Sequence, residues 1–182
     1  MALVLDELDP TTRQHMLREF EAELAGNPYL PASLSEQGRA AWPDLMRRAI
    51  LEGDDTTLRA ALLTDPTLLR PRETAVRSGV AHERNVNFAQ ASQRLATGEF
   101  NTWYVRGLSA RLLAEGVESV EVYRAAVPKW EPAACSSHEG AVVAVRDVYE
   151  GHRARYWPTE NPDGFSVPFQ PGCHHSIRRI TA

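Results

Sequence analysis

The stretch LATGEFNTWYVRGLSARLLAEGVESVEVYRAA, residues 95–126, decides the fold of this chain. Its first part carries apolar residues at helical spacing, and they belong to a longer run from about Asn87 to Glu115. Gly116 follows, and glycine commonly ends helices. After it the apolar period changes to two, with valines at alternate positions from Val120, which is typical of a strand. The sequence therefore predicts one long helix that leads directly into a strand.

The residues before this helix predict three further helices. Each has a start signal that can cap free backbone N–H groups, and these are Asp9-Pro10, Ser35 and Asp54-Asp55. Pro43 is expected to break or kink the second helix, because proline disfavours a helical residue before it. We assign residues 1–66 to a helical N-terminal region. Residues 67–86 are mostly polar, and we interpret them as a linker.

The residues after Gly116 predict a small sheet. Short apolar or alternating runs give four strand candidates, at 117–126, 141–145, 165–169 and 176–180. The predicted fold class is α+β, with a helical N-terminal part and then a long helix packed on a small, mostly antiparallel sheet. We assign residues 87–182 to this α+β domain.

Composition limits the classes of function that the chain can have. Its 182 residues are 43% hydrophobic and 24% charged, which is enough to bury a core. A net charge of -4 gives the whole molecule no reason to bind DNA, although a local basic patch remains open. Two cysteines do not make a disulfide framework. We expect no membrane span and no secretory signal, and a cytoplasmic location or one within a particle assembled there.

The two cysteines are each followed closely by histidine. The stretch ACSSHEG contains Cys135 and His138, and PGCHH near the chain end contains Cys173 and His175. Thiolate and imidazole are the ligands of tetrahedral zinc, so these four residues are the candidate metal ligands, with His174 as an alternative fourth. Buried free cysteines and a disulfide remain open as the other interpretations.

The order of these features resembles the domain of phage Mu F-like minor head proteins, the MuF or head-morphogenesis domain. That family has a helix with a pattern like R-T-E-x-N, then a strand, a loop with C-x-x-C, and a closing P-x-H-P-x-C-R-C. The similar part of this chain runs from about Ala91 to Ile180. The positions that correspond to the family patterns are Thr97-Gly98-Glu99, Asn101, Glu115-Gly116, Cys135, His138 and Gln170–His175. Histidine replaces cysteine at His138 and His175, and Gln170 replaces the histidine of the closing pattern.

The resemblance implies a structural protein that acts in head assembly of a phage or prophage-like particle. It implies binding to capsid-type and portal-type proteins, and contact with packaged DNA remains open. No catalytic residues are expected. Two rivals remain: a small hydrolase or transferase of toxin type, using Glu99, Arg106, His138 and His175, and a helical adaptor that grips a partner helix.

Overall fold

The computed structural model describes residues 2–127, 136–155, 165–170 and 172–180. Its described residues form five α-helices and two antiparallel sheets. The helices are α1 (Pro10–Ala25), α2 (Glu36–Glu52), α3 (Asp55–Thr64), α4 (Phe88–Ala114) and α5 (Val145–Glu150). The strands are β1 (Arg72–Arg77), β2 (Val80–Asn85), β3 (Ser119–Arg124), β4 (Val142–Ala144) and β5 (His175–Arg179).

Helices α1 to α4 begin where their capping residues predict. In each, one side chain accepts a hydrogen bond from the backbone N–H three positions further on, and these caps are Asp9, Ser35, Asp54 and Asn87. A cap of this kind contributes about 1 kcal/mol. The break expected at Pro43 is not present, because α2 continues through it. Trp42 and Met46 on the same helix are almost fully buried, and their burial outweighs the hydrogen bond that proline cannot donate.

Helix α4 is the centre of the hydrophobic core. Its apolar residues are buried almost completely, and the largest are Phe100, Trp103, Tyr104, Leu108 and Leu112. Helices α1, α3 and α5 pack against it, and the second sheet supplies Val120, Val122 and Ile177 to the same cluster. The helical region 1–66 therefore shares one core with the residues that follow it.

The second sheet has the strand order β4-β3-β5, and both pairings are antiparallel. In the β3–β5 pair, Val122 lies opposite Ile177 and both are fully buried. The α+β prediction, with a long helix on a small antiparallel sheet, is thus confirmed. The candidate strand at 165–169 is not a strand, and residue 145 begins α5 instead of ending a strand.

The segment interpreted as a linker contains a β-hairpin. Strands β1 and β2 pair over six residues each, from Arg72 opposite Asn85 to Arg77 opposite Val80. The turn between them is Ser78-Gly79, with φ of 52° and 78°. Positive φ at both positions is the mark of a type I′ turn, which matches the twist of a two-stranded ribbon. Five of its fourteen residues are charged, and they obscured the alternation that would have predicted strands.

Candidate functional site

The chain's tail returns to the loop that follows β3, as the Cys/His pattern requires. Strand β5 lies antiparallel to β3, and the Ala125 N–H donates to the His174 carbonyl at 2.8 Å. On the other side of β3, the Gly140 N–H donates to the Val122 carbonyl at 2.8 Å. The turn at 136–140 and the residues 173–175 therefore lie at the same end of the sheet.

Cys173, His175 and Glu139 form a chain of polar contacts at this end. Cys173 Sγ and His175 Nδ1 are 3.6 Å apart, and His175 Nε2 and Glu139 Oε2 are 3.4 Å apart. Arg124 on β3 holds the same carboxylate, with its Nη2 at 2.6 Å from Glu139 Oε2. The sequence predicted Cys173 and His175 as ligands of one metal ion, but gave no signal that Arg124 would complete this chain of contacts.

Protonation in this chain follows from its contacts. Burial raises the pKa of the Cys173 thiol. Its hydrogen bond with His175 and two hydrogen bonds with backbone N–H groups lower the pKa by more than burial raises it, so the net pKa lies below the usual value. The same hydrogen bond raises the pKa of His175 despite partial burial. The bond from Arg124 lowers the pKa of Glu139. The contacts therefore shift the pKa of each of the three groups towards its charged form.

A cysteine beside an imidazole and a carboxylate is also the arrangement of thiol hydrolases. Cys173, however, is only 2% exposed and lies inside the fold. A nucleophile must reach the substrate, so a substrate has no access to this sulfur in the observed conformation. The geometry therefore favours a structural role for Cys173.

The other predicted metal ligands do not take part in this chain of polar contacts. His138 stacks on Phe169, with ring centroids 3.9 Å apart and an interplanar angle of 16°, and Phe165 meets it edge-on. Cys135 lies outside the described residues. His174 is partly buried, and the structure uses its backbone carbonyl in the contact with Ala125.

The Cys173–His175 pair fits a tetrahedral zinc ion. Zinc bonds of about 2.3 Å to sulfur and about 2.0 Å to nitrogen place two ligand atoms at about 3.6 Å from each other. The observed separation of Sγ and Nδ1 is 3.6 Å. Among the residues that the structure describes, no group of three or more His, Cys, Asp or Glu side chains has metal-binding geometry. Of the predicted ligands, the described residues thus bring together Cys173 and His175, whereas His138 lies against Phe169 and does not join them.

Asn101 connects the long helix to the returning tail. Its Nδ2 donates to the His175 carbonyl at 2.7 Å, and both groups are buried. The bond joins positions that are 74 residues apart. Because it holds the backbone of His175, Asn101 positions the imidazole against Cys173.

A second cluster, which sequence reasoning missed, joins α1 and α4 to the turn after α5. His152 Nε2 lies 3.1 Å from Glu23 Oε2, and Arg153 Nη2 lies 2.9 Å from Glu99 Oε2. The Arg153 side chain is only 1% exposed and lies over the Tyr29 ring at 4.3 Å. We call these four residues, Glu23, Glu99, His152 and Arg153, the buried ionic cluster. No spacing could reveal it, since Glu23 and His152 are 129 positions apart.

A cavity of about 260 Å³ lies beside this cluster, between α4, the loop before α2 and the tail. Its polar lining residues are Tyr29, Ser33, Arg94, Glu99, Thr102 and Gln170. The candidates for an enzyme site do not converge there. Arg106 binds Glu19 on α1 at 2.7 Å, Glu99 binds Arg153, and His138 lies on Phe169.

No protein-family model, curated protein or solved structure matches this chain. Within the described residues, no helix has both the length and the apolar character that crossing a bilayer requires.

Proposed function

We propose that this chain is a structural protein in head assembly of a phage or prophage-like particle, a minor head protein that acts by binding capsid-type and portal-type proteins. The MuF-like order of its motifs is the origin of the proposal.

One contact carries most of the support. The asparagine of the helix pattern, Asn101, donates to the carbonyl of His175, the last residue of the closing pattern. Two residues that are far apart in sequence, and that both match the family patterns, thus meet in the core. Such a contact is expected if the helix and tail patterns serve one structural purpose, which is to close the α+β domain.

We also propose that zinc closes this domain, bound by Cys173 and His175 together with Cys135 and His138. Zinc would supply a fixed cross-link between the tail and the loop before β4. The alternative ligand His174 would replace one of the histidines. Glu139 and Arg124 would then hold His175 from its other ring nitrogen, which is the usual outer partner of a liganding imidazole.

Metal content of the purified chain tests the zinc proposal. We expect about one zinc per chain, with both thiols protected from alkylation, and loss of the metal in Cys173→Ser. His82→Asn is the matched control, since His82 lies exposed on β2 and should retain the metal. His174→Asn separates the two ligand sets. Metal-free protein with two reactive thiols would leave packing as the only role of these residues.

Co-isolation tests the assembly function. The full chain, carrying an affinity tag, is expressed together with the proteins encoded beside its own gene, and bound material is separated by sedimentation. We expect a complex with a portal-type or capsid-type protein, in a fixed ratio and in fast-sedimenting fractions. A chain that remains alone in the presence of assembled particles would count against the proposal. Because the zinc experiment uses the isolated chain, each proposal can fail without the other.

A further inference from the structure

The β1–β2 hairpin is an arm that stands away from the rest of the protein. All six residues of β2 are exposed, and neither strand packs extensively on a helix or on the second sheet. Its base is closed by the Val86 N–H, which donates to the Pro71 carbonyl at 2.9 Å. Arg94 on α4 reaches Glu73 at 3.5 Å. The arm is thus attached at one end only.

The arm has the shape of a short, regular ribbon. At about 3.4 Å per residue, six residues make each strand about 20 Å long. Two cross-strand ion pairs hold the register, between Arg72 and Glu83 at 3.1 Å and between Arg84 and Glu73 at 2.7 Å. The type I′ turn ends the ribbon without a long flexible loop. Little ordering of the arm would therefore be needed on binding.

The charge of the arm is opposite to that of the body. The hairpin itself, residues 72–85, contains three arginines and two glutamates, a net charge of +1. Arg70 precedes it and Arg94 on α4 contacts Glu73, so residues 70–94 together carry +3 in a chain whose total is -4. The remainder of the chain therefore has a net charge of -7. A polyanion would be attracted to the arm and repelled by the body. This segregation of charge is the local basic patch that the net charge concealed.

Each face of the ribbon carries an arginine with its paired glutamate, and an apolar group. Residues paired across the two strands share a face, so Arg72 and Val76 lie on one face, and Val80 and Arg84 on the other. The two valines, near the tip, are 71% and 58% exposed. A flat protein surface would cover only one face. A groove of duplex DNA has a phosphate wall on each side and admits a two-stranded ribbon.

We propose that the β1–β2 hairpin is a DNA-binding arm that enters a groove of duplex DNA. Its arginines neutralise phosphates on the two walls, and the exposed valines at the tip contact sugars or base edges. The contacts are with the DNA backbone for the most part, so binding is largely independent of sequence. The proposal goes beyond the assembly function and does not depend on it.

Fluorescence anisotropy with a labelled duplex of about 20 base pairs, roughly two helical turns, tests this proposal. The full chain is titrated at about 50 mM and about 200 mM salt, because phosphate contacts weaken steeply over that range. The test variant is Arg72→Gln/Arg84→Gln. The control is Arg18→Gln/Arg48→Gln, which makes the same change in net charge at exposed positions on α1 and α2.

We expect the wild type and the control to bind alike. The hairpin variant should bind about tenfold more weakly at low salt, with a salt slope smaller by about 2. Val76→Ser/Val80→Ser keeps every charge and should weaken binding while leaving the salt slope unchanged. Absence of DNA binding at low salt, or equal loss in the hairpin and control variants, would overturn the proposal. If the chain bound a polyglutamate peptide as tightly as the duplex, the arm would be a site for acidic proteins, and the DNA proposal would be overturned.

Discussion

At the residue scale, buried polar groups determine how the tail and the α5 region are held. Asn101 and His152 are the clearest cases, because each bonds to a residue from a distant part of the chain. A buried group that loses its partner pays the full desolvation penalty. Single substitutions at these positions should therefore lower the stability of the fold by more than the loss of a few side-chain atoms would suggest.

Replacement of Asn101 tests the connection between α4 and the tail. Asn101→Ala leaves the His175 carbonyl without the donor that lies 2.7 Å from it. We expect the free energy of unfolding to fall by about 1–3 kcal/mol. Urea unfolding followed by circular dichroism measures the difference. Asn85→Ala, at an exposed position of β2, should change stability by less than about 0.5 kcal/mol. Equal effects of the two substitutions would show that the buried bond contributes little.

His152 should make the fold sensitive to acid. Burial lowers its pKa to about 4 from 6.5, against the attraction of Glu23 and with the repulsion of Arg153 and Arg106. The unfolded chain therefore binds a proton below about pH 6.5, whereas the folded chain binds it only near pH 4. The contribution of neutral His152 to the free energy of unfolding is fully present above about pH 6.5. It is lost as the pH falls from about 6.5 to about 4, and the loss is about 3 kcal/mol.

Urea midpoints at neutral pH and near pH 4.5 measure this loss. His152→Gln retains a donor for Glu23 but cannot titrate, so its stability should fall less over the same range. If the variant and the wild type lose stability in parallel, other groups cause the acid sensitivity.

At the element scale, the close approach of α1 to α4 is the decisive packing feature. Gly107 on α4 allows it, since a Cβ at this position would lie 2.5 Å from Met16 Cγ and 2.5 Å from the Met16 backbone nitrogen. Phe20, one turn further along α1, then meets the Trp103 ring edge-on at 5.1 Å. A larger residue at position 107 would separate the two helices, because the backbone of α1 cannot yield as a side chain can.

Two glycines of the same helix provide a matched test. Gly107→Ala should destabilise the protein by about 1–3 kcal/mol, because it overpacks the α1–α4 interface. Gly98→Ala should stabilise it by about 0.5–1 kcal/mol, since nothing lies within 4 Å of the added Cβ and alanine favours helix. Thermal unfolding of the two variants gives the comparison. Opposite signs are the expected result, and a neutral Gly107→Ala would contradict the packing argument.

At the scale of the whole molecule, the helical region and the α+β region share one hydrophobic core. The hydrophobic cluster is continuous from Met16 on α1 to Ile177 on β5. The segment 4–7 reinforces it, since the Val4 N–H donates to the Ala125 carbonyl at 2.7 Å and Glu7 binds Arg179 at 2.7 Å. A substitution that removes packing contacts at one end of this core should therefore lower stability at the other end as well.

A substitution on α1 should destabilise the sheet. Phe20→Ala removes a buried ring against Trp103 and should cost about 3–5 kcal/mol. If the core is shared, hydrogen exchange at the Val122 amide of β3 should accelerate by the corresponding amount. Val76→Ala, on the exposed hairpin, is the control and should leave that rate unchanged. Unchanged exchange in Phe20→Ala would mean that the sheet folds independently of the helices.

The sequence by itself determined most of the elements of this protein. Capping residues and apolar periodicity act over a few neighbouring positions, so they placed α1, α3 and α4 closely, together with β3, β5 and the α+β class. Cys173 and His175 were both among the predicted metal ligands, and they are only two positions apart in the chain.

Only the tertiary structure decided which distant groups meet. Glu139 with His175, His152 with Glu23 and Met16 with Gly107 are pairs that no local rule selects. The charged hairpin was likewise hidden, because its strands are stabilised by their pairing and turn and not by an apolar face. Such contacts depend on how helices and strands pack in three dimensions, and that packing is a property of the whole core.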